Sequence, residues 1–210
     1  ATNALLDACR GKKLKKIVYA SSSSIYGDAA DFPTRESTIP KPVSPYGVSK
    51  LAAEHLCNVF SINYGVPAVS LRFFTVYGPR QRPDMAFNKF AKAISEGNEM
   101  TIYGDGMQER DFTFVKDVVD GIIRASKNGK NAEAYNIGAG KPATVMQAIS
   151  FFEKSLGKKA RIKFAEAQPG DVKKTFADVS KAKTDFGYAP THSLEQGINE
   201  YVKWAAKAIK

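Results

Sequence analysis

The sequence predicts an α/β fold, with part of a doubly wound parallel sheet and a smaller α/β lobe. Helix and strand patterns alternate as far as Gly78, as crossover connections between parallel strands require. The two strand patterns in this part, IVYA and AVSLRFF, are nearly continuous apolar runs, which is typical of strands covered on both faces. After Gly78 the elements become shorter and follow a loop rich in proline and arginine. This change predicts that the smaller lobe is inserted and appended after the sheet strands.

The first elements follow from local signals. The run ATNALLDACR has apolar residues at helical spacing and predicts a helix that Gly11 ends. The run IVYA predicts a strand, and four serines follow it directly. Ser44 is a suitable N-cap and Pro45 a suitable first residue for a long amphipathic helix that ends at Gly65. The apolar strand AVSLRFFTVYG comes next.

The elements after Gly78 are predicted in the same way. A helix ends before Gly97, and a short strand with a Gly-Asp-Gly turn lies in MTIYGDGMQERDFTFV. The run VKDVVDGIIRASKNG predicts an amphipathic helix, and AYNIG predicts a short strand. The final part predicts a helix (TVMQAISFFEKSLG), a strand (RIKFAEA) and two short helices.

Composition restricts the classes of protein. The chain is 43% hydrophobic and 25% charged, and no apolar run approaches the length of a membrane span. The two cysteines lack a CxxC spacing and the two histidines lie far apart, so we expect neither a disulfide nor a metal site. The net charge is +10, but the lysines occur in short pairs rather than in one stripe interleaved with aromatic residues. With no leader pattern at the start, we expect a cytoplasmic protein with no nucleic-acid or membrane partner.

The stretch SPYGVSK places a tyrosine in the first turn of the long helix. Lys50 lies four residues after Tyr46, on the same helical face. A neighbouring ammonium and the positive helix end favour a phenolate, so such a tyrosine can exchange a proton near neutral pH. The same spacing also arises by chance on many amphipathic helices. The pair alone therefore leaves both interpretations open.

The serines upstream favour the catalytic interpretation. Ser21 to Ser24 follow the first strand, and ligands of parallel sheets bind beyond the carboxyl ends of the strands. A polar loop also accounts for serines by themselves. A serine, a tyrosine and a lysine in this order and setting are more specific, and they predict a catalytic site.

Five separated segments carry a resemblance to a known family, namely YASSSSIYGD, SPYGVSK, LRFFTVYGPRQRPDMAF, IYGDGMQERDFTFVKDVVDG and AQPGDVKKTFAD. Together they resemble the extended short-chain dehydrogenases/reductases, and within these the NAD-dependent nucleotide-sugar epimerases. The resemblance implies that residues 1–77 and 112–140 form the C-terminal part of a Rossmann-type NAD-binding domain. It implies that residues 78–111 and 141–210 form a lobe that binds the nucleotide sugar. These are site motifs, so they imply a function as well as a fold.

The implied activity is that of a UDP-sugar 4-epimerase with NAD as cofactor. The catalytic serine, tyrosine and lysine of the family fall on Ser22, Tyr46 and Lys50, which also contact the cofactor. Tyr46 is the implied general base at the sugar 4-hydroxyl, while C4 is oxidised to a 4-keto sugar and then reduced on the opposite face. Lys50 is implied to bind the nicotinamide ribose, and Ser22 to hydrogen-bond the reacting oxygen.

Further site residues follow from the same matching. Phe73 and Phe74 end the strand that would lie beside the nicotinamide, although core packing explains Phe73 equally well. Arg110 resembles the arginine that grips the diphosphate, a role suited to a planar guanidinium. Asp171 matches a contact to the ribose hydroxyl. The other implied substrate contacts are Ser23, Ser24, Thr75, Arg82, Ala86, Phe87, Thr101, Ile102, Tyr103 and Gln168.

Departures from the family pattern restrict which reactions and substrates of the family the resemblance implies. Ser23 and Ser24 stand where dehydratases and decarboxylases of the family carry acidic residues, which argues against dehydration. Thr75 replaces an asparagine of many glucose-type epimerases, and this segment is similar to epimerases of UDP-glucuronate. The segment IYGDGMQERDF is also common among UDP-glucose 4-epimerases, so both substrates stay open. Gln168 stands where some relatives have a second arginine, so diphosphate binding rests more on Arg110.

One part of the family pattern is missing from the sequence. The chain has no GxxGxxG turn between a strand and a helix, and no acidic residue that would hold the adenosine ribose. We expect an N-terminally truncated epimerase that by itself binds NAD weakly and has little or no activity. The family also implies a homodimer through the helix that starts at Tyr46. The alternatives are a reductase or dehydratase of the same family, or a non-catalytic binding subunit.

Overall fold

The structure is a computed structural model that describes residues 1–167 and 172–208. Its helices are α1 (Thr2–Ala8), α2 (Pro45–Tyr64), α3 (Ala86–Glu96), α4 (Val115–Asn128), α5 (Val145–Leu156), α6 (Ser180–Phe186) and α7 (Leu194–Ala208). Its strands are β1 (Ile17–Ser22), β2 (Ala68–Phe73), β3 (Thr75–Tyr77), β4 (Glu99–Tyr103), β5 (Glu109–Arg110), β6 (Phe112–Phe114), β7 (Ala134–Ile137), β8 (Ala143–Thr144) and β9 (Arg161–Ala165). A 3-10 helix, Ser23–Ile25, follows β1 directly.

The largest sheet has three parallel strands in the order β1–β2–β7, which confirms the predicted parallel α/β architecture. Helix α2 is the crossover between β1 and β2. In the register of the sheet Ser22 lies beside Phe73, and Phe73 lies beside Ile137. Because parallel strands end at one edge, these three residues mark the carboxyl edge at which ligands of such sheets bind. The other strands form the pairs β3–β6, β4–β9 and β5–β8, of which only the last is antiparallel among the described residues.

Local signals explain most helix ends. The Ser44 hydroxyl accepts a hydrogen bond from the backbone N–H of Gly47 at 3.1 Å, so Ser44 caps α2 as predicted. Helices α2 and α3 end at Gly65 and Gly97, whose φ angles of 65° and 73° lie in the left-handed region. Helix α1 ends at Ala8, two residues before the end that the prediction of a stop at Gly11 implies.

Two larger hydrophobic clusters form most of the core. One lies among β3, β6, α3, α5 and α7 and is rich in aromatic rings, including Tyr77, Phe87, Phe114, Phe152 and Tyr201. The other joins β2 and β7 to α4 and α6 through Val69, Leu71, Tyr135, Ile137 and Phe186. Burial of each such side chain contributes about 1.5–3 kcal/mol to folding.

Two predicted strands differ in the structure. The run AVSLRFFTVYG forms β2 and β3, and the break between them is Phe74, which packs in a cluster with Ile25, Tyr26 and Ala177. The run from Met100 to Phe114 forms β4, β5 and β6 rather than one short strand. Strand β8 has only two residues and no sequence signal predicted it.

Across residues 1–167 and 172–208, no helix is both long and apolar enough to cross a membrane.

Candidate active site

The serines after β1 form a tight turn at the carboxyl edge of the sheet. Ser22 ends β1 and is 8% exposed. Its hydroxyl oxygen accepts a hydrogen bond from the backbone N–H of Ser24 at 3.2 Å and donates to the Ser24 hydroxyl at 3.1 Å. Ser23 and Ser24 are half-buried in the 3-10 helix. The predicted site residues Ser22, Ser23 and Ser24 therefore lie in one turn, which the Ser22 side chain caps.

The first turn of α2 packs directly on this serine turn. A Cβ atom on Gly47 would lie 2.5 Å from the carbonyl oxygen of Ser24 and 3.0 Å from Cβ of Pro42. Only a hydrogen atom fits there, so the backbones meet without an intervening side chain. Tyr46, which precedes Gly47, is thereby placed next to the serines. Gly47 is not among the predicted site residues, although a glycine inside a well-capped helix is a visible signal in the sequence.

The structure brings Tyr46 and Lys50 together on α2. The Lys50 ammonium lies 5.6 Å from the centroid of the Tyr46 ring and 5.5 Å from that of Tyr19. It also donates a hydrogen bond to the carbonyl oxygen of Ala20 in β1, at 2.9 Å. Tyr46 is 55% exposed and Lys50 half-buried. The pair therefore lies at the carboxyl end of β1, with the cation beside the ring of the predicted base.

Tyr19 is a further neighbour of Lys50 that sequence analysis did not name. Burial, with the nearby Cys57 and Glu54, raises the pKa of Tyr19 to about 12. The neutral hydroxyl donates to the backbone carbonyl of Lys50 at 3.4 Å. Tyr19 thus packs against the lysine and stays protonated near neutral pH.

The end of β2 supplies the next predicted residues. Phe73 is half-buried beside Ser22 in the sheet register. Phe74 is 4% exposed and its ring packs against Tyr26, so its side chain lies inside a hydrophobic cluster. Thr75 is half-buried at the start of β3, and its N–H donates to the carbonyl of Asp111 at 3.1 Å. Phe73 and Thr75 therefore border the same edge as the serines.

A cavity of about 1160 Å³ lies between the loop before α3, helix α3 itself and β4. Ala86, Thr101, Ile102 and Tyr103, four of the implied substrate contacts, line it. Phe87 does not line it, because its side chain is 2% exposed and packs in the aromatic core. The volume is somewhat above the roughly 300–1,000 Å³ of small-molecule sites, as an open groove allows.

The two predicted arginines have different surroundings. Arg110 is half-buried in β5 and donates to the carbonyl of Glu109 at 2.9 Å. Arg82 is exposed and makes two hydrogen bonds to the Asp84 carboxylate, at 2.9 and 3.1 Å. Such exposed pairs contribute little to stability, so Arg82 is free to exchange partners. Gln168 and Asp171 lie outside the described residues.

Asp111, next to Arg110, is a fully buried carboxylate that sequence analysis did not name. Burial raises its pKa, against hydrogen bonds that the carboxylate accepts from backbone N–H groups. Those donors are Ala177 at 3.0 Å, Ala139 at 2.6 Å and Gly140 at 3.1 Å. Asp111 thus joins the loop after β7 and the segment around Ala177 to the strand that carries Arg110.

Comparisons with known proteins identify the family of the chain. Residues 1–138 match the model of the NAD dependent epimerase/dehydratase family. An uncharacterized UDP-glucose epimerase of Bacillus subtilis is 43% identical, over 97% of this chain and 65% of the relative. A UDP-glucuronate 4-epimerase of Thermodesulfobacterium geofontis is 39% identical, over 98% of this chain and 64% of the relative. This chain therefore spans about two thirds of the length of the curated relatives it matches.

A solved structure of a similar protein has the same fold as this chain. The UDP-glucuronic acid 4-epimerase of Bacillus cereus, in a crystal structure with UDP-glucuronic acid and NAD, superimposes with a TM-score of 0.93 and 44% sequence identity. The match covers 99% of this chain and 66% of that one. The α/β fold is therefore of the Rossmann type found in extended short-chain dehydrogenases/reductases.

Proposed function

The chain belongs to the NAD-dependent epimerase/dehydratase family, and on this premise we propose that the full-length protein is a UDP-sugar 4-epimerase. The observation that carries the proposal is the close contact of Ser24 with Gly47. Through this contact the serine turn meets the helix of Tyr46 and Lys50, at the carboxyl edge of a parallel sheet. A proton-transfer group, a cation and a hydroxyl donor at one such edge suit the oxidation and reduction of a sugar carbon.

In the proposed mechanism Tyr46 removes the proton of the sugar 4-hydroxyl and later returns it to the 4-keto oxygen. The ammonium of Lys50, beside the Tyr46 ring, stabilises the phenolate that the first step needs. The Ser22 hydroxyl, which donates to the Ser24 hydroxyl in this structure, turns to donate its hydrogen bond to the reacting oxygen. The 4-keto sugar turns over between the two steps, which inverts the configuration at C4.

NAD is the proposed cofactor, and the residues at this edge suit it. Lys50 offers an ammonium for a ribose hydroxyl, and half-buried Phe73 offers an apolar wall beside Ser22. Tyr46 and Phe74 are the other proposed contacts, of which Phe74 would act through its backbone because its side chain is buried. NAD, when bound, supplies the hydride acceptor and donor at C4.

The cavity beside α3 is the proposed site of the uridine. Thr101 and Tyr103 are exposed on β4 and line the cavity with Ile102 and with Ala86 at the start of α3, while the buried Phe87 would contribute only through its backbone. Arg110 is the proposed diphosphate ligand, assisted by Arg82 after it leaves Asp84. Gln168 and Asp171 complete the proposed set, with Asp171 at the ribose hydroxyl.

The proposed sugar is glucuronate, with glucose as the alternative. Ser23, Ser24 and Thr75 follow strands at the carboxyl edge, and their hydroxyl groups are the proposed hydrogen-bond partners of a C6 carboxylate. None of the residues from Ser21 to Ser24 is acidic, so a dehydratase mechanism lacks its proton donor there. UDP-glucose would meet the same hydroxyls without the charge-assisted hydrogen bonds.

We also propose that the protein is a homodimer and that residues 1–210 alone bind NAD weakly. Leu5 on α1 and Val48, Val59 and Ile62 on α2 are exposed apolar residues on two helices that pack together. A second copy of the chain would cover them. Weak cofactor binding is proposed because the sequence has no GxxGxxG turn, and because β1 is an edge strand in the part that the structure describes. Tight NADH binding to this chain, in a fluorescence titration, would contradict the second proposal.

The function is tested by proton NMR of UDP-glucuronate and of UDP-glucose incubated with NAD and the full-length protein. We expect inversion at C4 without net oxidation or loss of water. Tyr46→Phe should lower turnover by roughly 10²–10⁴-fold, the usual contribution of a general base. Tyr64→Phe, at the other end of α2, is the matched control and should keep turnover. An unchanged rate in Tyr46→Phe would exclude the mechanism, and a reduced or dehydrated product would favour the family's other activities.

A further inference from the structure

A chain of buried polar side chains lies beneath the carboxyl edge of the sheet. The Ser21 hydroxyl donates to the Glu54 carboxylate at 2.6 Å, and Arg72 donates to the same carboxylate through Nη2 at 2.6 Å and Nε at 3.1 Å. Nη1 of Arg72 donates to the Tyr26 hydroxyl at 2.7 Å. That hydroxyl in turn donates to Oδ1 of Asn136 at 2.8 Å. We call these five residues the Glu54 network.

Stability alone does not explain this network. Its members are buried, with exposures of 2% (Ser21), 6% (Glu54), 7% (Arg72), 3% (Tyr26) and 0% (Asn136). Burial by itself lowers the pKa of Arg72, but the hydrogen bonds and charge of Glu54 raise it overall, so the guanidinium stays charged. Removing two charges from water is costly, and apolar pairs of similar volume are often equally stable in their place. A buried ion pair of this kind therefore points to a requirement for a defined geometry.

The network touches every element that carries the proposed catalytic residues. Glu54 lies one helical turn after Lys50 and two turns after Tyr46, on the same side of α2. Ser21 precedes Ser22 in β1, and Arg72 precedes Phe73 in β2. The bonds of Glu54 to Ser21 and Arg72 therefore lock α2 against the two strands.

The far end of the network reaches the segment that follows Asp171. The Asn136 amide donates to the carbonyl oxygens of Thr34 at 2.9 Å and Asp178 at 3.2 Å. Its backbone N–H donates to the Glu36 carboxylate at 2.8 Å. The loop before α2 and the segment near Asp178 are thus tied to the same buried groups as the catalytic helix.

We propose that Glu54 and Arg72 are positioning residues, which fix the rotation of α2 so that Tyr46 and Lys50 stand correctly toward Ser22. The inference rests on the proposed function, because it assigns these residues a role in that reaction. Neither side chain needs to touch the substrate or NAD. Their loss should misplace the proton-transfer groups, and a displacement of about 1 Å can lower a rate by roughly 100-fold.

The first test is the double variant Glu54→Met/Arg72→Met of the full-length protein. It removes both charges at similar volume, so the thermal midpoint should stay close to that of the wild type. We expect kcat to fall by roughly 100-fold, while KM for the UDP-sugar changes by less than about threefold because the uridine site is untouched. A double variant with wild-type kcat would overturn the proposal.

A matched pair of tyrosine variants separates position from stability. Tyr26→Phe removes the hydroxyl that joins Arg72 to Asn136. Tyr135→Phe removes the hydroxyl of another buried tyrosine, next to Asn136 in β7, whose hydroxyl donates to Asp185 at 2.8 Å outside the network. Both variants should lose similar stability, but only Tyr26→Phe should lower kcat, by about tenfold. Equal effects of the two variants on kcat would reduce the network to a stability element and overturn the proposal.

A third measurement does not depend on activity. Hydrogen–deuterium exchange of the amides in the first turns of α2 should be about tenfold faster in the double variant and unchanged in Tyr135→Phe. A fall in kcat without faster exchange would show that the loss does not act through α2, and would also overturn the proposal. If the wild-type protein has no epimerase activity, the proposed function fails, and exchange alone decides whether the network fixes the helix.

Discussion

The carbonyl oxygen of Ser24 occupies the space that a side chain on Gly47 would need, since a Cβ atom there would lie only 2.5 Å from it. The serine turn and the first turn of α2 are therefore in direct backbone contact. Each partner is also held locally, because Ser22 caps the turn and Ser44 caps the helix. The position of Tyr46 relative to Ser22 depends on this contact.

Gly47→Ala should therefore lower activity although alanine is the better helix former. The new methyl group must push α2 away from the carbonyl of Ser24. We expect kcat of the full-length protein to fall by roughly 10–100-fold, with a smaller change in KM. The helix-propensity gain of about 1 kcal/mol should not compensate for the clash with backbone. Steady-state kinetics and thermal unfolding measure the two effects.

Gly121→Ala is the control for this variant. A Cβ on Gly121 of α4 would lie 3.2 Å from the ring of Tyr188, which does not belong to the serine turn. It should change stability without lowering kcat. A Gly47→Ala protein with wild-type kcat would mean that the contact does not set the position of Tyr46.

The parts of the fold that follow from neighbouring residues were predictable from the sequence. Ser44, Pro45 and Gly65 fixed both ends of α2, since capping depends on residues within one turn. The apolar runs predicted β1 and β2 because strands covered on both faces need no alternation. The order of serine, tyrosine and lysine indicated a candidate site for a similar reason, because a crossover helix begins at the carboxyl edge, where the preceding strand ends.

Contacts between distant residues were not predictable. Glu54 on an otherwise apolar side of α2 and Arg72 within an apolar strand were each visible as an anomaly in the sequence. Their pairing depends on the packing of α2 against β2, which no local pattern encodes. The same holds for Phe74, which reads as a strand residue but breaks the strand because its ring packs with Ile25 and Tyr26.

The cavity beside α3 predicts a defect in substrate binding rather than in chemistry. Tyr103 is 45% exposed and lines this cavity, distant along the chain from Tyr46. Tyr103→Ala should raise KM for the UDP-sugar by about tenfold, which corresponds to about 1.4 kcal/mol, and leave kcat nearly unchanged. Phe164→Ala is the control, because Phe164 is 53% exposed on the paired strand β9 and does not line the cavity. Equal effects of both variants on KM would argue against a nucleotide site in this cavity.

The ion pair of Arg35 with Asp178 predicts a pH dependence of stability. Hydrogen bonds from Ser180 and the guanidinium of Arg35 lower the pKa of Asp178 below its ordinary value of 3.8, against the effect of burial. A carboxylate with a lowered pKa stabilises the fold above its unfolded-state pKa, and this contribution is lost as the pH falls through the folded-state value.

Asp178→Asn should therefore be less stable than the wild type at neutral pH, and the difference should shrink as the pH falls below 3.8 and vanish below the lowered folded-state pKa. Urea unfolding in steps from neutral pH to about pH 2 measures it. Asp84→Asn is the control, because its pair with Arg82 is exposed and contributes little at any pH. A stability difference for Asp178→Asn that persists in acid would mean that the carboxylate charge is not its source.

The exposed apolar side of α1 and α2 predicts a dimer that a single charge disrupts. Ile62 is 68% exposed on α2, with Leu5 of α1 at 61% and Val59 at 44%. In a dimer through α2, Ile62→Glu would bury an unpaired carboxylate, so we expect sedimentation velocity to detect monomer where the wild type is dimeric. Ile123→Glu, on an exposed site of α4 at 48%, should leave the dimer intact and controls for the added charge. A wild-type protein that is monomeric at all concentrations, or an Ile62→Glu protein that stays dimeric, would exclude this interface.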